Sequence, residues 1–392
     1  MTIDESTLRL LQDPALQMPK IRDVGTLGDF LGESNARFFA LINRFKGRIG
    51  DILHDKNRRY WMRELASSIV ATVEVTLQRR RERAVSLMEE ILDEHLGALQ
   101  LMSLRHSATV IGSRSWYRLT TWKGATTRSD VFHRPFQRPS PAYRYSKPGL
   151  PGIYLGNNVY VCWLECNSPL PLSGCKVARF EINAGDLLFL DLPANHSTYL
   201  QPLETAYALR RVSEVNLFRF QNSPYFQDVE PELAEYLSLW PLLMACSVQK
   251  SPNAAEDPPE YIVSQLVADW AIKQKRWLGV RYFTTKSDDA GNSQDLSINV
   301  VLPARTSNRT EGFCEFLTAR VRCTLPQSFR YARRIKNRKL FTRAAADQRQ
   351  EAAGRYMVHW RGAQRHYQDT PFGRMEYLLD RDEFPLKRID ES

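Results

Sequence analysis

The apolar residues of this chain change their spacing at about residue 113, and this change limits the folds open to it. Before this point they recur at i, i+3, i+4 and i+7, as at Phe38, Leu41, Ile42 and Phe45, which is the spacing of one helix face. After it they form runs of strand length among residues rich in Pro, Gly, Tyr and Ser. The sequence therefore predicts a helical N-terminal domain followed by a domain with a β core.

Five runs in the second part of the chain have the composition of strands. They are 150–155 (LPGIYL), 177–182 (VARFEI), 187–192 (LLFLDL), 280–285 (VRYFTT) and 298–303 (INVVLP). A helix is predicted over 261–279, with Gly279 as its left-handed cap. Strands and helices do not alternate in βαβ units, so the predicted fold class is α+β, with a mixed β core and an all-helical domain in front of it.

The same changes in apolar spacing and in composition predict the domain boundaries. Residues 1–108 form the helical domain, 109–319 the domain with the β core, and 320–392 a basic C-terminal extension. An insertion around 195–258, rich in Pro, Tyr and Leu, adds a helix (PELAEYLSLWPLLMACS) to the middle domain. The helical domain contains no recognisable catalytic or binding motif. Self-association, partner binding and regulation all remain possible functions for it.

The positive charge of the chain is confined to one segment. The 392 residues carry a formal charge of +10, and residues 320–366 hold 13 Lys and Arg against two Asp and Glu, a net of +11. The rest of the chain therefore has a net charge of −1. This argues against a nucleic-acid-binding surface that extends over the whole protein. For the basic segment itself, nucleic acid, an anionic membrane surface, an acidic partner and a helix packed on the body remain alternatives.

Several classes of site and location are excluded by what the sequence lacks. The six cysteines form no CxxC pair, so we expect no structural metal site and no disulfide framework. The N-terminus has no basic region followed by an apolar run, and no apolar stretch reaches about 18 residues. We therefore expect a cytoplasmic protein without a membrane span.

Four polar residues stand in apolar or aromatic surroundings: Arg118 in SWYRLT, Arg144 in AYRYSKPG, Tyr154 in PGIYLGN and Glu165 in VCWLECN. Glu165 is the most informative, because a carboxylate that follows an apolar run needs a partner or a chemical role. A buried Arg–Glu pair that only fixes packing is the alternative to a functional site.

The order of these residues resembles that of the RES domain family, which is named after Arg, Glu and Ser positions. The specific part is RYSKPG at 144–149, then a strand with Tyr154, then WLE ending at Glu165, and the resemblance covers roughly residues 113–304. Thr284 stands where the family's serine is expected, so Ser146 and Ser264 remain alternatives for that role. Asn299 matches the family's terminal strand position.

The resemblance implies an NAD⁺-degrading fold related to ADP-ribosyltransferases, typically the toxin of a bacterial toxin–antitoxin pair. It implies that Glu165 stabilises the oxocarbenium-like state of the ribose, and that Arg118 and Arg144 bind the pyrophosphate. Tyr154 would face the nicotinamide, and Ser146, Thr284 and Asn299 would complete the site. NAD⁺ is then a substrate, and no prosthetic group is expected.

Two further functions remain open at this stage. The first is transfer of ADP-ribose to a protein or nucleic acid instead of to water or phosphate. The second is a nucleic-acid-binding module that uses residues 320–366 and has an inactive RES-like domain. Expected partners are an antitoxin or inhibitor protein and a second copy of the chain through the N-terminal helices. His133, a loop histidine without a placed carboxylate, is expected to be structural or solvent-facing.

Overall fold

The computed structural model describes residues 5–22, 25–46, 48–97, 99–100, 115–192, 229–250, 257–286, 298–305, 311–332, 357–381 and 383–391. These residues confirm the α+β class and the helical N-terminal region. The helices are α1 (Glu5–Gln12), α2 (Leu27–Arg44), α3 (Arg48–Leu53), α4 (Lys56–Leu77), α5 (Arg81–Glu94), α6 (Val159–Glu165), α7 (Val229–Ser247), α8 (Ile262–Lys273), α9 (Glu315–Thr318), α10 (Phe329–Ala332) and α11 (Pro371–Leu379). None of these helices has the length and apolar character needed to cross a bilayer.

The strands are β1 (Trp116–Thr120), β2 (Gly152–Gly156), β3 (Lys176–Ile182), β4 (Leu188–Leu192), β5 (Trp277–Phe283), β6 (Ile298–Pro303), β7 (Val321–Cys323), β8 (Gln327–Ser328), β9 (Met357–Trp360) and β10 (Ala363–His366).

The described chain divides into two compact units. Unit 1 comprises residues 1–107, 141–148 and 188–285, and unit 2 comprises 108–140, 149–187 and 286–392. Each unit draws on distant parts of the chain, and the domain boundaries given above stay a prediction.

The helix predicted over 261–279 is too long. Helix α8 ends at Lys273, Lys275 adopts the left-handed conformation with φ +48°, and Gly279 lies inside β5 instead of capping a helix. Strand β5 is buried at every position, so its residues show no alternation between apolar and polar. The apolar pattern of a strand that is buried on both faces does not distinguish it from a buried helix. This explains why the first residues of β5 were assigned to the helix.

Unit 1 is built around α7. Every described side chain of α7 from Leu233 to Ser247 is buried, which is typical of a helix surrounded by protein. Helices α3, α4 and α8 pack against it, and Phe38 of α2 stacks on Trp240 with ring centroids 4.4 Å apart. The part of the predicted insertion that forms α7 is thus the core of this unit. Residues 195–228 and 251–256 of that insertion lie outside the described residues.

A buried ion pair joins the two strands of unit 1. Strands β4 and β5 are parallel, and Asp191 lies directly opposite Arg281 in their register. The Arg281 guanidinium is 3.0 Å from the Asp191 carboxylate, and the two side chains are only 2% and 1% exposed. Both charges are therefore almost completely removed from water, so the attraction between them is important for keeping them buried.

Unit 2 contains an antiparallel sheet and a separate hairpin. The sheet has the strand order β6–β2–β1–β3–β7, with β8 also paired to β3, and β9 and β10 form the hairpin. One apolar cluster includes side chains of β1, β3, α6, α10, α11 and the hairpin, among them Tyr117, Val177, Trp163, Trp360 and Phe372. This cluster places α6, which ends at Glu165, on one face of the sheet.

Removing one charge of the Asp191–Arg281 pair is expected to destabilise unit 1 strongly. Asp191→Asn keeps the shape of the side chain but removes the carboxylate that pairs with the buried Arg281 guanidinium, and breaking a buried ion pair in this way costs about 3–5 kcal/mol. Urea unfolding followed by tryptophan fluorescence measures the free energy of unfolding. The matched control is Glu33→Gln, which breaks a pair with Arg37 whose side chains are 72% and 75% exposed, and which should change the stability by less than about 0.5 kcal/mol. Equal effects of the two substitutions would contradict this assignment.

Candidate functional site

The predicted catalytic carboxylate lies at the C-terminal end of the short helix α6. Asn158 caps the first turn, because its Oδ1 accepts the N–H of Val161 at 2.8 Å. Strand β2 ends at Gly156, and a Cβ there would lie 2.8 Å from Cys162 Sγ. Glycine is therefore required for α6 to lie this close to the sheet, and it fixes the height of Glu165 above the strands.

A second carboxylate holds the N-terminal end of α6. Glu376 Oε1 accepts the N–H of Val159 at 2.7 Å and also accepts a hydrogen bond from the Tyr367 hydroxyl. Burial raises the pKa of Glu376 to about 8, and the nearby Asp380 acts in the same direction, while the two hydrogen bonds oppose the rise. Glu376 thus anchors the helix from α11, far away in the sequence.

The Glu165 carboxylate is held by an amide from the neighbouring strand. Asn299 Nδ2 of β6 donates to Glu165 Oε1 at 2.7 Å, and the Asn299 side chain is buried whereas Glu165 is half-buried. Lys286 Nζ donates to the Glu165 backbone carbonyl and to Asn167 Oδ1, both at 2.7 Å. The carboxylate is therefore oriented by Asn299, and the lysine occupies the end of the helix where a cation is favoured.

The strand register decides which of the predicted residues share a face of the sheet. Gly156 of β2 pairs with Asn299 of β6 and with Tyr117 of β1, so these positions share one face, and Tyr154, two residues from Gly156, lies on it as well. Arg118 follows Tyr117 and points to the other face, where its Nη1 donates to the carbonyl of Phe132 at 2.8 Å. The sheet therefore separates Arg118 from Tyr154 and Asn299.

Three charged residues of this region affect the pKa of the Cys166 thiol. Burial raises the pKa of the Cys166 thiol to about 11, and Glu165 acts in the same direction, while the positive charges of Arg118 and Lys286 lower it. All three charged residues therefore lie within electrostatic reach of one thiol. Because that thiol stays protonated at neutral pH, it is a poor nucleophile, and Glu165 remains the better candidate for chemistry.

Arg144, the second predicted arginine, lies in unit 1 at the C-terminal end of α7. Its Nη1 donates to the carbonyls of Cys246 and Val248 at 2.9 and 3.0 Å, and its Nη2 donates to Thr285 Oγ1 at 3.2 Å. The guanidinium also lies over the ring of Tyr261, 5.0 Å from its centroid. Arg144 therefore satisfies carbonyls that the end of a helix leaves without partners.

The segment around Ser146 forms a closed turn in unit 1. Tyr143 and Ser146 exchange backbone hydrogen bonds of 2.8 and 3.1 Å, and the Gln265 side chain of α8 donates to the carbonyl of Tyr143 at 3.3 Å. The Ser146 side chain is buried, as are those of Ser264 and Thr284. The hydroxyl that contacts Arg144 belongs to Thr285, one residue after the threonine that the sequence singled out.

The structure thus brings Glu165 and Asn299 into direct contact within unit 2, with Tyr154 on the same face of the sheet, and places Arg118 on the other face. Arg144, Ser146 and Thr284 belong to unit 1, and their assigned roles stay predictions. Lys286 was not predicted; its position directly after two threonines gave no periodic or motif signal. Among the described residues, no group of three or more His, Cys, Asp and Glu side chains is arranged to hold a metal ion.

His133 is a buried structural histidine in unit 2. The N–H of Cys314 donates to its Nε2 at 2.9 Å, so Nδ1 carries the proton and donates to the carbonyl of Arg134 at 2.7 Å. Phe136 and Phe313 surround the ring. Burial lowers the pKa of His133 to about 4 and the charge of Arg118 acts in the same direction, whereas the hydrogen bond to Arg134 opposes them.

This lowered pKa predicts an acid-dependent loss of stability. The unfolded chain takes up a proton at His133 near pH 6.5, whereas the folded chain does so only near pH 4. The contribution of neutral His133 is therefore complete above pH 6.5 and falls as the pH is lowered toward 4, by about 2 kcal/mol at pH 5. Urea unfolding at pH 7 and pH 5 should show this loss in the wild type relative to His133→Gln, whose amide can replace both hydrogen bonds. Parallel pH profiles for the two proteins would refute the assignment.

Comparison with known proteins gives one informative similarity. No protein-family model matches the chain, and no solved structure matches it. A protein of Bacillus subtilis (strain 168) named "Putative toxin YopC" is 24% identical over 272 residues. The aligned region is 67% of this chain and 58% of that relative, so the chain spans little more than half of the relative's length. The chain is thus similar to a protein that is named as a toxin.

Proposed function

We propose that this chain is a RES-type toxin that cleaves the nicotinamide–ribose bond of NAD⁺. The observation that carries the proposal is the Glu165 carboxylate, presented at the end of α6 and oriented by the Asn299 amide at 2.7 Å. It is supported by the order of RYSKPG, Tyr154 and WLE along the chain, and by the similarity to a protein named as a toxin. An antitoxin is then the expected protein partner.

The proposed reaction uses Glu165 for electrostatic stabilisation. The C–N bond between the nicotinamide and C1′ of the ribose breaks, and nicotinamide leaves as a neutral molecule with the bonding electron pair. Positive charge then spreads over C1′ and the ring oxygen, and a carboxylate beside the ribose stabilises this state more than the substrate. Water or phosphate attacks C1′; with water the products are ADP-ribose, nicotinamide and one proton.

Two further residues of unit 2 have proposed roles on the same face of the sheet. Asn299 positions the Glu165 carboxylate beside the ribose. Tyr154 offers its aromatic ring to the cationic nicotinamide, because the face of such a ring attracts a positive charge. The roles of Arg118, Arg144, Ser146 and Thr284 in binding NAD⁺ stay predictions from the family resemblance.

Replacing Glu165 is expected to abolish the reaction. Glu165→Gln preserves the shape of the side chain and the chance of a hydrogen bond to Asn299 but removes the charge, so nicotinamide release should fall by about 10²–10³-fold or more. Release is measured by liquid chromatography on purified protein with NAD⁺ in water and in phosphate buffer. The matched control, Glu181→Gln on the exposed side of β3, should retain wild-type turnover.

The outcomes of this assay separate the candidate functions. No nicotinamide release by the wild type would refute NAD⁺ cleavage. Release accompanied by labelled protein or nucleic acid, with little free ADP-ribose, would indicate a transferase. In cells, expression of the wild type should deplete NAD⁺ and arrest growth, whereas Glu165→Gln should do neither.

The hydrogen bond from Asn299 is expected to affect turnover more than substrate binding. Asn299→Ala releases one oxygen of the Glu165 carboxylate, so kcat should fall by about ten- to hundredfold with KM nearly unchanged. The loss of one hydrogen bond should cost about 1 kcal/mol of stability, which thermal unfolding can check. A change in KM without a change in kcat would show that Asn299 binds substrate instead of positioning Glu165.

A further inference from the structure

A cavity in unit 2 is lined by residues that the proposed reaction does not use. Its volume is about 260 Å³, and its walls come from the turn before β3, from α10, from the β9–β10 hairpin and from the first turn of α11. The lining residues are Pro171, Leu172, Phe329, Ala332, Trp360, Arg361, Pro371 and Arg374. Enclosed sites for whole drug-sized ligands usually measure about 300–1,000 Å³, so this cavity is sized for a smaller group, such as one large side chain.

The walls of this cavity are apolar and firmly packed. Phe329 and Trp360 are 2% and 5% exposed, and both rings contact Phe372 in the core of the unit. The chain beside the cavity is unusually apolar for a surface: Leu170, next to Pro171, is 65% exposed, and Tyr331, next to Ala332, is 50% exposed. Apolar residues in this arrangement, with aromatic and arginine side chains nearby, are typical of protein-binding surfaces.

Two guanidinium groups line the cavity and have no carboxylate partner among the described residues. Arg361 lies over Trp360, 5.4 Å from its ring centroid, and forms no ion pair with any described residue. Arg374, in the first turn of α11, likewise forms no ion pair within the described part of the chain. The described residues of the same unit between 320 and 366 also include Arg320, Arg322, Arg330 and Arg365 and hold no Asp or Glu. A ligand at this cavity should therefore be negatively charged as well as apolar.

We infer that this cavity is a docking site for an acidic peptide segment of a partner protein. One aromatic or large aliphatic side chain of that segment enters between Phe329 and Trp360. Acidic residues on either side of it pair with Arg361 and Arg374, whose planar guanidinium groups bind carboxylates in two-point contacts. The inference concerns partner binding and does not depend on NAD⁺ cleavage.

A peptide fits these observations better than a nucleic acid. Proteins that bind single strands stack bases on exposed aromatic rings along a groove lined by cations. Here the two rings are buried in the wall of a small cavity, and only the arginines are placed to meet the charge of a ligand. A single side chain flanked by carboxylates matches this geometry, whereas a row of stacked bases does not.

The test uses the full chain and a defined probe. The probe is a fluorescein-labelled peptide in which a Phe–Leu pair is flanked by four glutamates on each side, and its binding is followed by fluorescence anisotropy at physiological salt. Two comparison peptides replace the glutamates with lysine, or the Phe–Leu pair with Ser–Gly. A labelled single-stranded RNA of mixed sequence represents the nucleic-acid alternative.

The variants remove the two charges with little change to the fold. Arg361 has φ +54° in the hairpin turn, so Arg361→Asn is chosen because asparagine tolerates this left-handed conformation. It is combined with Arg374→Gln. The matched control is Arg365→Asn combined with Arg388→Gln, which removes the same charge at two exposed positions that do not line the cavity. Thermal unfolding verifies that both proteins are folded.

The wild type should bind the Phe–Leu glutamate peptide in a saturable manner and bind both comparison peptides at least about tenfold more weakly. The Arg361→Asn/Arg374→Gln protein should lose about tenfold or more in affinity, and the control protein about twofold or less. Absence of saturable binding by the wild type overturns the inference, as does an equal loss in the two double variants. RNA binding that depends on Arg361 and Arg374, without peptide binding, would replace it with the nucleic-acid alternative.

Discussion

The position of Glu165 depends on how the ends of α6 are satisfied. A helix of seven residues is not stable by itself, and its terminal N–H and C=O groups have no partners within the helix. In unit 2 the N-terminal groups are bonded by Asn158 and Glu376, and the carbonyl of Glu165 is bonded by Lys286. The position of the carboxylate therefore depends on Asn158, next to the helix, and on two residues more than a hundred positions away, Glu376 and Lys286.

The same constraint explains the arginine of the RYSKPG segment. Helix α7 is buried from Leu233 to Ser247, so the carbonyls at its end need partners within the protein. Arg144 bonds the carbonyl of Cys246 in the last turn and that of Val248 just after the helix, and Gln265 bonds the turn that contains Arg144. These residues have a sufficient structural reason to be present in unit 1. Their presence in the sequence therefore supports the fold more directly than it supports NAD⁺ binding, and Glu165 with Asn299 carries the argument for chemistry.

Local patterns in the sequence predicted the bounds of several strands closely. The run at 298–303 is β6, and β3 begins one residue before the predicted run at 177–182. In β5, residues 280–283 were predicted as a strand, whereas the first three residues, 277–279, were assigned to the preceding helix. The sequence also singled out Glu165, because a carboxylate after an apolar run is conspicuous, and the role of Glu165 stays a prediction. It could not show that Arg118 lies on the opposite face from Asn299, since this depends on strand register, nor that Glu376 and Lys286 anchor α6, since such partners meet only in the folded chain.

Two buried groups of unit 2 make its stability depend on pH in opposite directions. The pKa of Glu376 is raised from 4.5 to about 8, so folding favours its protonated form, and stability declines as the pH rises from 4.5 through 8. The pKa of His133 is lowered from 6.5 to about 4, so stability declines as the pH falls from 6.5 toward 4. Between pH 4.5 and 6.5 the two effects oppose each other and largely cancel. Above pH 6.5 only the Glu376 effect remains, and because Glu376 bonds the first residue of α6, alkaline pH acts on the helix that carries Glu165.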